Sequence, residues 1–521
     1  TTVNNVLTNP YILSIADLTA NATYSIAALS DSGCTATATD LTGAAVVTVI
    51  NGTPGLWTGL VSTDWFDCKN WDGGLPSPTI DAQIPSGAVR MPLIDPANSV
   101  YAALYSNIAT AQDVIIANAA SLTMAANSDL YVSRDWKNNG IFAPGQGTVT
   151  LNGATAGQIQ GINSGIKTNE TFYNLTLNTA NGAKGVNLAD GYELTVSNLL
   201  SLQSGDIRLT GEAQIVQSGL VANPVSGTGK IYRDQQGTRS SFNYNYWSSP
   251  VSDNGIDYTI ADVLRDGTDV TTNPFAPTAI TFGPGPYFAD GTLSNPVKIS
   301  DYWLFKYTSI STVYADWQHI GSTGTVKVGE GFTMKGTDGI ANITDLQNYV
   351  FAGKPNNGDI SLNISPNQIY FVGNPYPSAM DADEFIKDNI KDGAGRNATN
   401  VISGALYFWN HFAGHTHILA SYIGGYATYT LLGGVNAISN DALINNNGAT
   451  GTLVPRKYIP VAQGFMVRTT LDPLLVTNNP NLSTAITGGP ILFKNSQRAF
   501  MVESAANSIY SMNRYRSAKH K

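Results

Sequence analysis

The chain has 521 residues, a formal net charge of −9 and only 12% charged residues. This length suits three or four domains, and the 42% apolar content excludes an intrinsically disordered chain. The acidic balance would repel a phosphate backbone, and no basic patch interleaved with aromatics offsets it, so we expect no nucleic-acid partner. No apolar run approaches the ~18–20 residues that cross a bilayer, so we expect no membrane span.

The first segment, residues 1–51, alternates polar and apolar residues in the manner of short antiparallel strands, as at 11–15, 24–29 and 45–50. About seven strands make a complete immunoglobulin sandwich, and this segment offers about four. It therefore predicts a partial Ig-like domain, either cut within the domain or completed by strands of a neighbouring chain.

The second segment, residues 56–85, is rich in tryptophan. Trp57, Trp65 and Trp71 fall among Asp, Gly and Asn in a pattern that fits neither a helix nor a regular strand. We interpret the segment as a cap or linker that closes the first coil of the next domain, because the open end of a β-helix exposes unpaired edges. The alternative is a ligand-binding site in which these indoles stack on sugar rings.

Residues 86–239 form a row of short β-forming runs, each separated from the next by Gly, Asn or Asp. The clearest runs are 114–116, 122–124, 130–132, 141–142 and 148–151, and the row continues to 215–216. Short runs with turn residues every seven to ten positions predict stacked coils, that is, a right-handed parallel β-helix with Val, Ile and Leu pointing inward. Its carboxylates are scattered, so we assign no catalytic residue there.

The remaining sequence predicts antiparallel β-structure. Residues 240–365 read as a β-sandwich or jelly roll, and residues 366–500 as a β-rich domain with one short helix at 380–387, so that 240–500 form one composite domain or two packed ones. Residues 501–521 are a tail. The fold class expected for the whole chain is all-β: a parallel β-helix flanked by a partial Ig-like domain and a C-terminal β-sandwich region.

Two cysteines, Cys34 and Cys68, allow at most one disulfide. A bridge between the first two modules and two separate thiols are both compatible with their positions beside turn residues. The sequence leaves the two alternatives open.

The sharpest chemical candidate is the segment His411-Phe-Ala-Gly-His415-Thr-His417, which holds three of the five histidines. Imidazoles at this spacing can ligate zinc or another borderline metal, with carboxylates near position 381 as further ligands. The alternative is a loop with solvated histidines. No other cofactor is indicated, although calcium remains open at two turns with suitable oxygen donors, Asp253–Asp257 and Asp266–Asp269.

Several phrases of the sequence resemble surface proteins exported by the type IX secretion system of gliding bacteria and their relatives. The phrases are WTG…STDW…NW from Trp57, YWSSPV from Tyr246, YFVGNPYPS from Tyr370, ALYFW from Ala405 and YIPVAQGF from Tyr458. The resemblance implies export and display at the bacterial cell surface, often in adhesins. Its expected partners are the export machinery and other surface proteins or copies of the chain itself. It implies no reaction.

We therefore expect a secreted or surface-displayed, non-enzymatic protein that acts in adhesion or as a structural surface component. Glycans are candidate ligands, and Tyr246 and Trp247 join the three N-terminal tryptophans as candidate contact residues. One alternative is a carbohydrate-active enzyme on the β-helix, which requires two carboxylates within about 5–10 Å. A second is a filament or appendage subunit, which predicts head-to-tail contacts and a donated strand.

Overall fold

The computed structural model describes residues 20–47, 52–153, 159–162, 169–179, 185–219, 225–253, 257–309, 316–440, 444, 447–470 and 485–503. It is nearly all β, with 44% strand and 7% helix, and contains a β-solenoid of about six turns. In these residues the longest α-helix has eight residues, so no helix reaches the length and hydrophobicity that crossing a membrane would require.

The N-terminal segment shows one antiparallel hairpin, formed by β1 (Ala22–Tyr24) and β2 (Ala45–Val47). The hairpin leaves the apolar side chains of Ile26, Leu29 and Val46 exposed. An Ig-like sandwich is therefore not seen in residues 20–47, and the strand predicted at 11–15 lies outside the described residues.

The solenoid is built from short strands that pair in parallel with the equivalent strand of the next turn. Their bounds are β3 (Leu56–Trp57), β4 (Trp71–Asp72), β5 (Ala82–Ile84), β6 (Leu93–Ile94), β7 (Ile108–Ala111), β8 (Val114–Ile116), β9 (Ser121–Met124), β10 (Asp129–Val132), β11 (Trp136–Asn138), β12 (Ile141–Ala143), β13 (Thr148–Leu151), β14 (Ile159–Ile162), β15 (Asn169–Asn178), β16 (Gly185–Leu188), β17 (Glu193–Ser204), β18 (Ile207–Leu209), β19 (Gln214–Gln217), β20 (Ser226–Gly227) and β21 (Ile231–Thr238). The predicted parallel β-helix is confirmed as a solenoid.

Stacks of inward side chains run along the solenoid axis, one residue from each turn. On one face the stack is Val114, Trp136, Ile162, Leu188 and Leu209, and each member pairs with the next in register. A second face stacks Ala109, Leu130, Val149, Leu175 and Leu200 in the same way. All are nearly inaccessible to solvent, because alternate residues of a strand point inward. The predicted inward positions are confirmed.

The first turn begins thirty residues earlier than position 86. The strand β3 pairs in parallel with β5, and β4 pairs antiparallel with β3 at the end of the same sheet. A terminal strand that runs against the others ends the parallel ladder, as a cap must. The segment predicted as cap or linker is thus the closed end of the solenoid itself.

The last turn is shared with the C-terminal domain. The strand β21 pairs in parallel with β18 on one side and antiparallel with β32 (Leu346–Pro355) on the other, over eight residue pairs. The stack of inward residues ends here in Arg233, which is buried, and next to it the buried Arg208 and Asp234 form an ion pair. Charged groups therefore replace aliphatic ones where the solenoid meets its neighbour.

The described residues after β21 form short strands and two α-helices. In chain order they are β22 (Tyr244–Trp247), β23 (Val251–Ser252), β24 (Asp257–Thr259), α1 (Ile260–Val263), β25 (Leu264–Asp266), β26 (Thr281–Gly283), β27 (Lys298–Ser300), β28 (Phe305–Ser309), β29 (Trp317–His319), β30 (Thr325–Lys327), β31 (Phe332–Lys335), β32, β33 (Ile360–Ile364), β34 (Ile369–Gly373), β35 (Ala379–Asp381), α2 (Ala382–Asn389), β36 (Leu406–Ala413), β37 (Ile423–Thr430), β38 (Gly433–Val435), β39 (Tyr458–Ile459), β40 (Gly464–Arg468), β41 (Gly489–Phe493) and β42 (Arg498–Ala499).

A seven-stranded sheet organises this region, in the order β29-β28-β34-β40-β36-β37-β38. Two of its strands lie before residue 365 and five after it, so the boundary predicted at 365/366 falls inside one sheet. One face packs on α2, where Phe385 lies 5.6 Å from Phe465 between ring centroids. The predicted helix is confirmed with bounds shifted by two residues, and Asp381 caps it by accepting the backbone N–H of Asp383 and Glu384.

Hydrogen bonds between distant segments fix the solenoid to the C-terminal domain. The guanidinium of Arg498 is buried; it donates to the carbonyl of Ile215 at 2.7 Å and lies 4.9 Å from the ring centroid of Tyr376. The amide of Gln235 donates to the carbonyl of Val461 at 2.6 Å. The two hydrogen bonds join residues 283 and 226 positions apart, so the two parts meet through a defined interface.

The inward stacks predict that substitutions of neighbouring residues in one strand will lower the stability of the protein by different amounts. We expect Leu130→Ala to lower the free energy of unfolding by about 2–5 kcal/mol, because it leaves a cavity in a fully buried stack. The neighbouring Tyr131→Ala, on the half-exposed outer face of β10, should cost under about 1 kcal/mol. Thermal and urea unfolding followed by circular dichroism measure both. Equal effects would contradict the assigned register.

Candidate functional site

The three N-terminal tryptophans form a buried cluster. Trp57 and Trp65 each lie 4.8 Å from Trp71 between ring centroids, in edge-to-face geometry, and all three are at most 2% exposed. The indole N–H of Trp71 donates to the carbonyl of Trp65 at 2.7 Å. No ring face is open to solvent, so the packing of these residues supports the capping interpretation and gives no support to the ligand-binding alternative.

A cavity of about 160 Å³ lies on the other face of the seven-stranded sheet, beneath β22 and β31. We call it the aromatic cavity, because eight of its lining side chains are aromatic. Its lining residues are Tyr244, Tyr246, Phe305, Tyr307, Trp317, Thr333, Ile369, Trp409, Leu419, Tyr422, Tyr426, Ile444, Met466 and Arg468. The alternation of the strands explains this composition: Tyr407 and Trp409 of β36 belong to this face, whereas Leu406 and Phe408 pack toward α2.

Hydrogen bonds and charge hold the walls of the aromatic cavity in place. The hydroxyls of Tyr246 and Tyr426 are 2.9 Å apart, and burial raises the pKa of Tyr246 well above its usual value, assisted by Tyr426. The guanidinium of Arg468 lies 4.2 Å from the ring centroid of Tyr407. The phenol of Tyr246 therefore stays neutral and serves as a hydrogen-bonding group on an otherwise apolar wall.

A second cavity of about 220 Å³ adjoins the first and shares Tyr244, Tyr246 and Trp409 with it. We call it the amide cavity, because five of its lining residues carry a side-chain amide. Its lining residues are Gln236, Asn243, Tyr244, Asn245, Tyr246, Trp247, Ile343, Thr344, Trp409, Asn410, His411, Phe412, Thr452, Leu453 and Gln463. None of these described residues carries a permanent charge. Thr344 and Thr452 are exposed and mark its mouth.

The strand β22 separates the two cavities. Its sequence alternates, so that Tyr244 and Tyr246 line the aromatic cavity while Asn245 and Trp247 line only the amide cavity. Gly464 allows this close crossing, because a Cβ at that position would come within 2.9 Å of the carbonyl of Trp247. The predicted contact residues Tyr246 and Trp247 thus both lie at the cavities, 9% and 4% exposed.

Several buried polar atoms of the amide cavity have no hydrogen-bond partner among the described residues. They are Oδ1 and Nδ2 of Asn243, Nδ2 of Asn245, Oδ1 of Asn410 and the indole nitrogens of Trp247 and Trp409. Buried polar groups are normally paired, so a concentration of unpaired ones in a cavity indicates a place where another molecule supplies the partners.

A buried cation lies behind the aromatic cavity. The amine of Lys335 donates to the hydroxyl of Tyr422 at 2.6 Å and to Nδ1 of His417 at 2.9 Å, and it lies 3.7 Å from the ring centroid of Trp303. His417 in turn places Nε2 3.0 Å from both carboxylate oxygens of Asp290. Burial lowers the pKa of Lys335 to about 7, while Asp290 and the aromatic ring faces favour the charged form.

The three clustered histidines have three different environments. His411 is buried at the amide cavity, and its pKa falls to about 3 because burial, and then the Lys335 cation, disfavour the imidazolium. His417 is also kept toward the neutral form by burial and Lys335, and His415 is exposed beside Phe242. No group of three His, Cys, Asp or Glu residues fit for a metal occurs in the described ranges, so the predicted zinc site is not formed by this segment.

The remaining candidates are the two acidic turns and the two cysteines. Asp266 caps a turn, accepting the N–H of Thr268 at 2.8 Å and of Val297 at 2.9 Å, and Asp253 forms an isolated bridge with Asp257. These interactions occupy the donors proposed for calcium at Asp266. Cys34 and Cys68 are free and exposed, so the structure contains two thiols rather than a disulfide.

Residues 131–513 match the family model described as "Domain of unknown function (DUF8693)". The chain belongs to this family. The match begins within the solenoid and ends beyond the last described strand, so the DUF8693 region includes both cavities and the shared strand β21. A search of curated proteins and a search of solved structures each found no match.

Most of the site could not be read from the sequence. Tyr246 and Trp247 were predicted because they lie in an aromatic stretch of sequence, whereas nothing in the sequence around Lys335 or Asn410 indicates a role at the site. The alternation Asn243-Tyr-Asn-Tyr is the one pattern that could have identified the amides, because a strand places amides on one face and phenols on the other.

The buried amine predicts a pH dependence of stability. The folded state binds the Lys335 proton less tightly than the unfolded chain, so below pH about 7 the cost of burying the cation is fully present. As the pH rises from about 7 to about 10 this cost is relieved, and the wild type should gain on the order of a few kcal/mol relative to Lys335→Met. Urea unfolding at pH 6, 8 and 10 measures the difference.

The matched control is Lys327→Met, at an exposed position of β30. Its stability relative to wild type should not change across the same pH range. A flat difference for Lys335→Met as well would show that its amine titrates normally.

Proposed function

We propose that this DUF8693 protein is exported to the bacterial cell surface and works there by binding, in adhesion or in a surface assembly, rather than by turnover. The observation that carries the proposal is the pair of adjoining cavities, which present aromatic walls and uncharged hydrogen-bonding groups. Such a combination of mostly apolar walls and a few convergent polar groups is typical of ligand sites. Export and display rest on the resemblance of five phrases to type IX-secreted surface proteins.

The solenoid fits the role of a spacer in this proposal. Each turn adds about 4.8 Å along the axis, and the cap closes the end far from the cavities. The binding domain is joined to the other end by β21 and by Arg498. A ligand held in the cavities would thus be carried at a fixed position on an elongated support. Partners in this proposal are the export machinery, other surface proteins or copies of the chain, and glycans.

The enzyme alternative would need a carboxylate pair at the cavities. Among the described lining residues neither cavity contains Asp or Glu, and Arg468 is the charged residue of the aromatic cavity. The hydrogen-bonded series Lys335, His417 and Asp290 lies behind Tyr422, where it orders the wall. An assay for release of reducing ends from bacterial polysaccharides separates the two functions, and we expect no release.

The filament alternative has one observation in its favour. The β1–β2 hairpin exposes Ile26, Leu29 and Val46, which a strand from another copy could cover. Light scattering of the purified chain decides this point: a concentration-dependent assembly that is lost on replacing these three residues by serine would support the filament.

The binding proposal predicts the effect of removing an indole from the wall. Trp317 is partly exposed and contacts Tyr246 and Tyr307 in the aromatic cavity. We expect Trp317→Ala to weaken attachment of the fluorescently labelled chain to bacterial cells and their extracellular polymers at least about tenfold, because truncated aromatic anchors typically cost 2 kcal/mol or more. Flow cytometry over a concentration series measures the attachment.

The control is Tyr302→Ala, which removes an exposed aromatic ring of the same domain that does not line either cavity. Its attachment should equal that of wild type. Whole-cell labelling of the producing bacterium with an antibody tests display separately, and signal only after permeabilisation would overturn the surface location.

A further inference from the structure

We infer that the amide cavity is a subsite for one ring of a neutral carbohydrate, with the aromatic cavity as the adjoining subsite. This inference rests on the proposed binding function and names its ligand class. It is carried by the buried polar atoms that lack partners in the amide cavity, by the absence of charge among its described lining residues, and by the aromatic walls that surround them.

Hydrogen bonds within the protein leave some side-chain atoms of the amide cavity as donors and others as acceptors. Oδ1 of Asn245 accepts the backbone N–H of Thr238 at 2.7 Å, which leaves Nδ2 as a donor without a partner. Asn243 is 1% exposed, and neither Oδ1 nor Nδ2 of its side-chain amide has a partner; Oδ1 of Asn410 adds a second acceptor. The cavity therefore offers donors and acceptors together, which is what hydroxyl groups require because each hydroxyl both donates and accepts.

The indoles of Trp247 and Trp409 supply the other half of the recognition. Both are at least nine-tenths buried and have N–H groups without partners, and their rings form walls of the cavity. A sugar ring has apolar C–H faces and a polar rim, so it can pack against such walls while its hydroxyls reach the amides. A purely apolar ligand would leave the amides unsatisfied, at a cost for each buried group.

The lack of a cation excludes anionic sugar rings from the amide cavity. The described lining of the amide cavity contains no Lys or Arg, and the pKa of His411 is about 3, so this imidazole is neutral at physiological pH. A carboxylate or phosphate entering the cavity would lose its hydration without gaining a cation. The ring held in the amide cavity is accordingly neutral.

Both cavities are large enough to hold a ligand rather than a single water molecule. One water needs about 10–15 Å³ of this kind of space, whereas the amide cavity has about 220 Å³ and the aromatic cavity about 160 Å³. The shared residues Tyr244, Tyr246 and Trp409 make the two spaces neighbours. Two linked rings could therefore occupy both, one among amides and one among phenols.

The test uses Asn243→Leu, which keeps the approximate size of the side chain and removes its hydrogen-bonding atoms. Calorimetry and tryptophan fluorescence follow binding of maltose, lactose, cellobiose and N,N′-diacetylchitobiose, with glucuronic acid and sialyllactose as anionic comparisons. We expect at least one neutral disaccharide to bind the wild type, with affinity reduced at least tenfold in Asn243→Leu, and no binding of the anionic sugars. The melting temperature of Asn243→Leu should rise by a few degrees, because an unpaired buried amide is removed.

The matched control is Asn356→Leu. Asn356 is equally buried, but its amide donates to the carbonyls of Ser249 and Pro375 and accepts the hydroxyl of Ser252. This variant should have a lower melting temperature and unchanged sugar affinity. The opposite signs of the two temperature shifts separate a ligand-binding amide from a structural one.

The outcomes are decisive. Three results would each overturn the inference: preferential binding of an anionic sugar, binding of neutral sugars that Asn243→Leu does not affect, and no saccharide binding at all. The third result would mean that the cavity holds ordered water. If Trp317→Ala still abolishes attachment to cells while no neutral sugar competes, the binding function stands and the ligand class fails. If the wild type does not attach to any surface, the proposed function itself fails.

Discussion

A single strand, β21, joins the parallel and the antiparallel parts of one twelve-stranded sheet, and so connects the solenoid to the C-terminal domain. Its residues complete the parallel ladder of the solenoid through β18 and begin an antiparallel pairing with β32 over their whole common length. A solenoid end would otherwise expose unpaired backbone groups, and here the following domain supplies the partner strand. The N-terminal end solves the same problem with β4 and the buried tryptophans. One end is thus closed by a local cap and the other by an entire domain.

This arrangement explains the charged layer at the junction. The two inward stacks described above are aliphatic or aromatic in the middle turns, whereas at β21 the first of them ends in Arg233, beside the Arg208–Asp234 pair. Burying charges costs free energy unless they are paired and hydrogen-bonded, and ion pairs of this kind fix geometry more than they add stability. Asp234 also accepts a hydrogen bond from Nδ2 of Asn348 on β32 at 3.0 Å, and Arg498 donates to the carbonyl of Ile215. Buried charged groups therefore connect the solenoid to the domain that holds the cavities.

The sequence predicted those parts of the structure whose contacts join residues close together in the chain. The solenoid strands at 114–116, 130–132 and 148–151 were visible because each turn repeats a local alternation. The strand at Trp136–Asn138 was missed because Trp-Lys-Asn lacks the aliphatic pattern, although Trp136 fills the inward position. The centre of the seven-stranded sheet pairs strands that are not consecutive in the chain, β28 with β34, β34 with β40 and β40 with β36, and the cavities join tyrosines 180 residues apart, as in the Tyr246–Tyr426 contact. No local pattern encodes such pairings.

The one-residue-per-turn stacking has a consequence for how such a molecule can vary in length. Backbone pairing joins each middle turn to its two neighbours, so inserting or deleting one of the ~21–26-residue coils between β8 and β18 leaves the strand pairing of the cap and of β21 and the lining of both cavities in place. The reach of the protein can therefore be adjusted in increments of about 4.8 Å without redesigning the part that makes contact. The length of the solenoid and the residues that bind the ligand lie in separate parts of the chain, so each can change in evolution without the other.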